Sequence, residues 1–120
     1  MDIFCKIINN EMPSYTIYED EIVKVFLDVN PYHTGHTLII PKKHYENFYD
    51  IDEKTLHYIF KIAKDISKLL KEKLNCDGIS FCQNNGLGQE VKHYHLHLIP
   101  KYHNEEKLTL EEVYNKLKNL

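Results

Sequence analysis

A chain of 120 residues and 14.3 kDa is sized for one domain, and 42% hydrophobic with 28% charged residues is ordinary for a folded, water-facing protein. Its 18 acidic residues outnumber 15 basic ones, and every base is Lys, so polyanion binding is disfavoured: nucleic-acid readers carry a positive excess and commonly Arg. No stretch approaches the ~20 apolar residues of a membrane helix, and Met1-Asp2-Ile3-Phe4-Cys5-Lys6 does not open like a signal peptide.

In chain order, Thr16–Tyr18 and Ile22–Leu27 read as short strands joined by Glu19-Asp20-Glu21, a hairpin that Pro31 ends. Thr37–Ile40 is a third strand, stopped by Pro41. The period then lengthens. Leu56, Ile59, Phe60, Ala63, Ile66, Leu70 and Leu74 form one helical stripe, with Asp50 and Glu53 as the expected N-terminal cap and Asn75 to Gly78 as the stop. Ile79–Cys82 and Tyr94–Ile99 are the fourth and fifth strands. A last helix starts at the Thr109/Glu112 capping box and buries Leu110, Val113, Leu117 and Leu120. Hairpin-length links predominate, so the fold class is α+β: a predominantly antiparallel five-stranded sheet, a long amphipathic helix and a C-terminal helix. One domain spans 1–120, with its core at about 3–101.

The chemistry concentrates in Val91-Lys92-His93-Tyr94-His95-Leu96-His97. On a strand His93, His95 and His97 share one face, ~6.8 Å apart at successive Cα atoms, while Tyr94, Leu96 and Leu98 face the helix. Chance placement at this His frequency yields roughly 0.03 such triplets. A neutral imidazole is a good nucleophile near pH 7, so one His can accept a phosphoryl or nucleotidyl group while its neighbours fix its tautomer and donate protons. The rival chemistry is a hydrolytic zinc site using two of these rings with Glu90 or His36. Asn84, Gly86, Gly88 and Gln89 can offer N–H groups to a phosphate, and Asp28 can accept from a ribose. Cys5, Cys76 and Cys82 are odd in number with no CxxC pair, which fits reduced thiols in the cytoplasm.

These segments together resemble the histidine triad (HIT) family of nucleotide-binding hydrolases and transferases. The match runs through Phe4-Cys5-Lys6-Ile7-Ile8, Phe26-Leu27-Asp28-Val29-Asn30-Pro31, Gly35-His36-Thr37-Leu38-Ile39-Ile40-Pro41 and Gly88-Gln89-Glu90-Val91 to the triad and Ile99-Pro100. The resemblance implies a homodimer that joins two sheets, and cleavage at the α-phosphate of a purine nucleotide: a phosphoramidate, an aminoacyl-adenylate or a dinucleoside polyphosphate. It implies His95 as the nucleophile, His93 orienting it, His97 on the phosphate and leaving group, and His36 as a further active-site imidazole. Asp28 then takes the ribose, Phe4, Ile7, Leu27 and Leu38 the base, and Asn84, Gly88, Gln89, Glu90 and Val91 the phosphate side.

The chain departs from the family pattern in four places. The Asn84–Gln89 loop is slightly short, Glu90 stands where some relatives have Ser or Thr, and Lys101 stands where Arg is frequent. Some bacterial relatives hold a structural zinc on an N-terminal CxxC and two His. Asp2 replaces the first Cys here, leaving Cys5, His44 and His93, so no metal and no cofactor is expected. A nucleotide sensor that keeps the pocket without catalysis is the non-enzymatic alternative.

Overall fold

The computed structural model describes residues 2–118. Helix α1 (Ile3–Ile8) precedes strands β1 (Thr16–Glu19), β2 (Val23–Leu27) and β3 (Thr37–Pro41). Helix α2 (Glu53–Leu74), strands β4 (Gly78–Cys82) and β5 (Leu96–Lys101) and helix α3 (Leu110–Lys118) follow. The five strands form one sheet in the order β1-β2-β3-β5-β4, every pairing antiparallel.

The sheet separates two hydrophobic layers. On one face Val23, Val25, Leu27, Ile39, Leu96 and Leu98 pack against Ile59, Ala63, Ile66 and Leu70 of α2 and Val113 and Leu117 of α3. On the other, Phe26, Leu38 and Ile40 pack against Phe4 and Ile7 of α1. Period-two alternation along β2 and β3 makes this division, each strand sending alternate side chains to opposite sides. The register places Leu38 opposite His97, so β3 and β5 set that His on the α1 side.

Several local expectations are corrected. The N-cap of α2 is Asp52, which accepts from the Thr55 N–H, whereas Asp50 accepts from Glu46 and Asn47 one turn earlier. Phe60 belongs to no core layer and stays exposed; Ile62 and Leu69 are buried instead. Asn75 ends α2 in the left-handed conformation at φ 54°, as the stop signal predicts. The capping box of α3 is reciprocal, Thr109 N–H to Glu112 and Glu112 N–H to Thr109 Oγ1. Leu120 lies outside the described residues.

Helix α1, only six residues long, had no periodic signal to announce it. Asp2 caps it by accepting from the Cys5 N–H at 2.8 Å. Lys24, 2% exposed on the α1 face of β2, donates to the Ile7 carbonyl at 3.1 Å and pairs with Glu19 at 3.8 Å, so a charge meets the carbonyl end of the helix.

The β2–β3 connection runs from Asp28 to His36 and closes with Asp28 N–H to His36 C=O. Gly35 there has φ +90°, and a Cβ on it would lie 2.4 Å from Leu74 Cδ1 and 3.3 Å from Pro100 Cγ. Gly35→Ala is therefore expected to destabilise the fold by about 1–3 kcal/mol, from backbone strain plus displacement of α2's last turn. A shift in the urea midpoint checks this, and an unchanged midpoint would contradict it.

Candidate active site

The triad does not sit on one strand. β5 begins only at Leu96, and His93 and His95 lie in the segment leading into it. His93 is fully buried and its ring is turned away from any opening. Its Nε2–H donates to the Pro41 carbonyl at 2.8 Å, and its Nδ1 lies 3.4 Å from Asp2 Oδ2 and 3.6 Å from Cys5 Sγ. What His93 gives its neighbour is backbone: its carbonyl accepts from His95 Nδ1 at 2.7 Å.

That bond decides the chemistry of His95. A ring nitrogen so close to a carbonyl oxygen must carry the proton, which leaves Nε2 as a lone pair. Burial also lowers the His95 pKa below the ordinary 6.5, against the opposing pull of the Asp28 and Glu90 charges, so the ring is neutral at pH 7.

His97 has the complementary tautomer. The Tyr32 backbone N–H donates to His36 Nδ1 at 3.1 Å, so neutral His36 carries its proton on Nε2. That proton faces His97 Nδ1 at 2.9 Å, with Asp28 Oδ2 at 3.5 Å. His97 Nδ1 is thus an acceptor, and its own proton sits on Nε2. Burial, together with the neighbouring His95 and His36, pushes the His97 pKa down to about 4, and burial lowers His36 as well. Two rings whose centroids are 4.8 Å apart therefore present one lone pair and one N–H donor.

Both rings line a cleft with two unlike halves. The apolar half, about 250 Å³, is walled by Phe4 and Ile7 of α1 with Phe26, Leu38 and Val91. The polar half, about 340 Å³, is bordered by Tyr32, His36, Asn84 and Gly88. Asp28, Asn30, Glu90, His95 and His97 border both, placing two carboxylates and two imidazoles where the halves join.

Most sequence-predicted positions converge there: Phe4, Ile7, Asp28, His36, Leu38, Asn84, Gly88, Glu90, Val91, His95 and His97 all line the cleft. Three are placed otherwise. Leu27 borders the apolar half, yet its side chain packs in the core under α2, and Phe26, one residue earlier, faces α1. Gln89 is buried, donating to the Glu46 carbonyl and accepting from the Gly86 N–H, so it pins the loop. His93 stands behind His95 rather than beside it. Tyr32 is a further wall residue that nothing in the sequence marks: its backbone N–H fixes the His36 tautomer, and its ring is exposed on the polar half.

A HIT domain model matches residues 9–104. The chain belongs to the HIT domain family. An uncharacterized HIT-like protein of Methanocaldococcus jannaschii is 51% identical over 104 residues, covering 85% of this chain and 80% of that protein. The adenosine 5'-monophosphoramidase of Saccharomyces cerevisiae is 45% identical over 101 residues, covering 82% of this chain and 61% of that protein. A HIT-like protein from Bartonella henselae superposes with a TM-score of 0.89 at 40% identity, covering 98% of this chain and 94% of that one. A zinc-bound histidine triad protein from Mycobacterium smegmatis gives 0.89 at 31% identity, with 97% and 89% covered.

The zinc expectation for this HIT domain changes with the position of Asp2, which the sequence reading counts as a lost ligand. Its Oδ2 lies 3.2 Å from His44 Nε2 and 3.4 Å from His93 Nδ1, and Cys5 Sγ lies 3.6 Å from the same Nδ1. Tetrahedral zinc with ligands at ~2.0–2.3 Å needs donors about 3.3–3.7 Å apart. Asp2, His44 and His93 bring three donor atoms within 4.8 Å of one another, with Cys5 Sγ beside His93, so they could hold the ion once His44 Nε2 gives up its hydrogen bond to the Lys92 carbonyl. Held there, it would fasten α1 to the residues after β3 and to the segment before β5. The other ligand set, His93 and His95 with Glu90 or His36, is not assembled, because the His93 nitrogens face Pro41, Asp2 and Cys5. Asp28, His36 and His97 do bring donor atoms within 4.8 Å of one another, and the proton on His36 Nε2 accounts for it.

Proposed function

We propose that this HIT domain is a nucleotide hydrolase that cleaves at the α-phosphate of a purine nucleotide through a covalent nucleotidyl-histidine on His95. The paired tautomers of His95 and His97 at the junction of an apolar and a polar half-cleft carry this reading. The base enters between Phe4, Ile7, Phe26 and Leu38, Asp28 accepts from the ribose, and the α-phosphate lies over His95. The Nε2 lone pair of His95 forms a bond to phosphorus as the bond to the leaving group breaks; the departing nitrogen, hydrogen-bonded to the His97 Nε2–H, takes a proton from bulk water and leaves as the amine, and the attacking water of the second step returns one proton to bulk. The resulting imidazolium keeps its Nδ1 proton on the His93 carbonyl. Water then attacks phosphorus, freeing the mononucleotide and regenerating neutral His95. The S. cerevisiae relative named for adenosine 5'-monophosphoramidase activity supports a phosphoramidate among the substrates.

Intact-protein mass after brief mixing with an adenosine phosphoramidate tests the mechanism. An adenylate adduct on the wild type, absent from His95→Ala and unaffected by EDTA, is the expected result. Turnover that requires added metal, with no adduct, would overturn it. Binding without adduct or turnover would point to the sensor.

We also infer a homodimer built on β4. This strand is a sheet edge, so among the described residues no strand pairs with one side of it, and Phe81 on it is 50% exposed. Pairing β4 with its copy across a two-fold axis would make one ten-stranded sheet. Sedimentation is expected to give twice 14.3 kDa for the wild type and a shift towards monomer for Phe81→Lys. A monomeric wild type at micromolar concentration would contradict the assembly.

A further inference from the structure

The leaving-group half of the cleft carries two carboxylates and, among the described residues, no Lys on its walls. Among the described residues lining either half, Asp28 and Glu90 are carboxylates and none is Lys; the sequence has no Arg. Burial lowers the pKa of His36 and His97, so these two imidazoles bring no positive charge to the wall at pH 7. Lys92, the basic residue of the adjoining loop, has its ammonium on the Gly86 carbonyl at 3.1 Å. Glu90 is solvent-exposed yet near enough to His95 for its charge to act on that ring. On the same half, Tyr32 is 70% exposed, and its ring centroid lies 5.2 Å from that of His36.

A carboxylate and an open aromatic face are the two groups that hold an organic cation, and the same carboxylate repels a phosphate chain. For a nucleotide whose base fills the apolar half and whose α-phosphate lies over His95, the leaving group extends past Glu90 and Tyr32. A polyphosphate leaving group would bring several negative charges to this wall with no Lys or Arg to receive them. An amine leaving group that carries a second ammonium meets Glu90 favourably.

We propose that Glu90, assisted by Tyr32, is the specificity-determining residue for the leaving group, selecting nucleotide conjugates of positively charged amines over nucleoside polyphosphates. The proposal rests on the hydrolase reading for where the leaving group lies. Its energy is that of a solvent-exposed charge pair, so discrimination is modest and sensitive to salt.

The test uses three adenosine phosphoramidates of matched length, made from 1,4-diaminobutane, butylamine and 4-aminobutyrate, which end in an ammonium, a methyl and a carboxylate. For the wild type, kcat/KM is expected to fall in that order by about tenfold from first to last, and to level in high salt. Glu90→Gln flattens the series and Glu90→Lys inverts it; since Glu90 is exposed, neither change disturbs the core. Calorimetry with His95→Ala measures affinity for the three intact compounds and is expected to give the same order without any turnover. Equal values across the series in both measurements, or an unchanged order in Glu90→Lys, would overturn the proposal. Ranked affinities in His95→Ala with no turnover by the wild type would instead overturn the hydrolase reading and leave charge selection standing.

Discussion

Replacing His95 with Ala is expected to lower turnover of an adenosine phosphoramidate by at least about 10⁴-fold, the scale of losing a covalent nucleophile. No neighbouring ring can take its place. His97 Nδ1 is occupied by the His36 proton and its Nε2 carries a proton of its own, while His93 is buried with its ring turned to Pro41 and Asp2. The substitution leaves the His93 carbonyl without its donor but opens no large core void, since His95 borders the cleft. Its melting temperature should therefore stay near that of the wild type while turnover vanishes. His97→Ala separates the two roles: it removes the donor but spares the nucleophile, so the adenylate should still form, more slowly. Comparable turnover in His95→Ala and the wild type would refute nucleophilic catalysis by this ring.

The second large effect is on stability in mild acid. Burial keeps His36, His95 and His97 from protonating in the folded state, His97 down to about pH 4, whereas each regains the ordinary 6.5 on unfolding. Below pH 6.5 the unfolded chain therefore binds more protons than the folded one, and acid favours unfolding. Stability is full above about pH 6.5 and declines as pH falls towards 4. The groups facing His97 are His36 and His95, with Asp28 behind His36, and only the carboxylate opposes this trend. His97 alone costs about 3 kcal/mol by pH 4 through the linkage relation, a large share of the ~5–15 kcal/mol that holds a typical domain together. Urea midpoints from pH 8 to 4.5 are expected to hold until about pH 6.5 and then drop, with a shallower drop in His97→Gln. A flat profile across that range would refute the buried, neutral imidazoles.

How much of this was legible in the sequence varies with the kind of signal. The long stripe of α2, the five strands and the α3 capping box were readable because each repeats a period or a spacing over enough residues. The cap of α2 was misplaced by two residues because Asp50 and Asp52 both precede Glu53, and only the fold directs Asp50 to the turn at Glu46 and Asn47. In the site, residue types were readable but the facing was not. Alternation puts His93, His95 and His97 on one face, yet the strand starts three residues after His93, whose ring meets Asp2, Cys5 and Pro41 while its carbonyl, not its ring, holds His95. Leu27 borders the apolar half while its side chain packs under α2, and Phe26 beside it faces α1, because neighbouring positions on a strand face opposite sides. The Tyr32 N–H on His36, the His93 carbonyl on His95 and the Gln89 amide on the Glu46 carbonyl all involve backbone atoms, and side-chain identity carries almost no trace of such contacts.

The loop that forms the phosphate side is fastened at several points to the segment after β3. The Phe48 N–H donates to Asn85, Gln89 to the Glu46 carbonyl, the Tyr94 N–H to the Tyr45 carbonyl, and His44 Nε2 to the Lys92 carbonyl. A wall held this way is already shaped before a nucleotide arrives. Binding then sacrifices little chain entropy, and association can proceed at the pace of diffusion and orientation instead of waiting for a flap to shut. The same rigidity leaves the mouth open during the reaction, so the water that resolves the nucleotidyl-histidine can enter from bulk as soon as the leaving group departs, and hydrolysis follows from the shape of the rim as much as from the histidines.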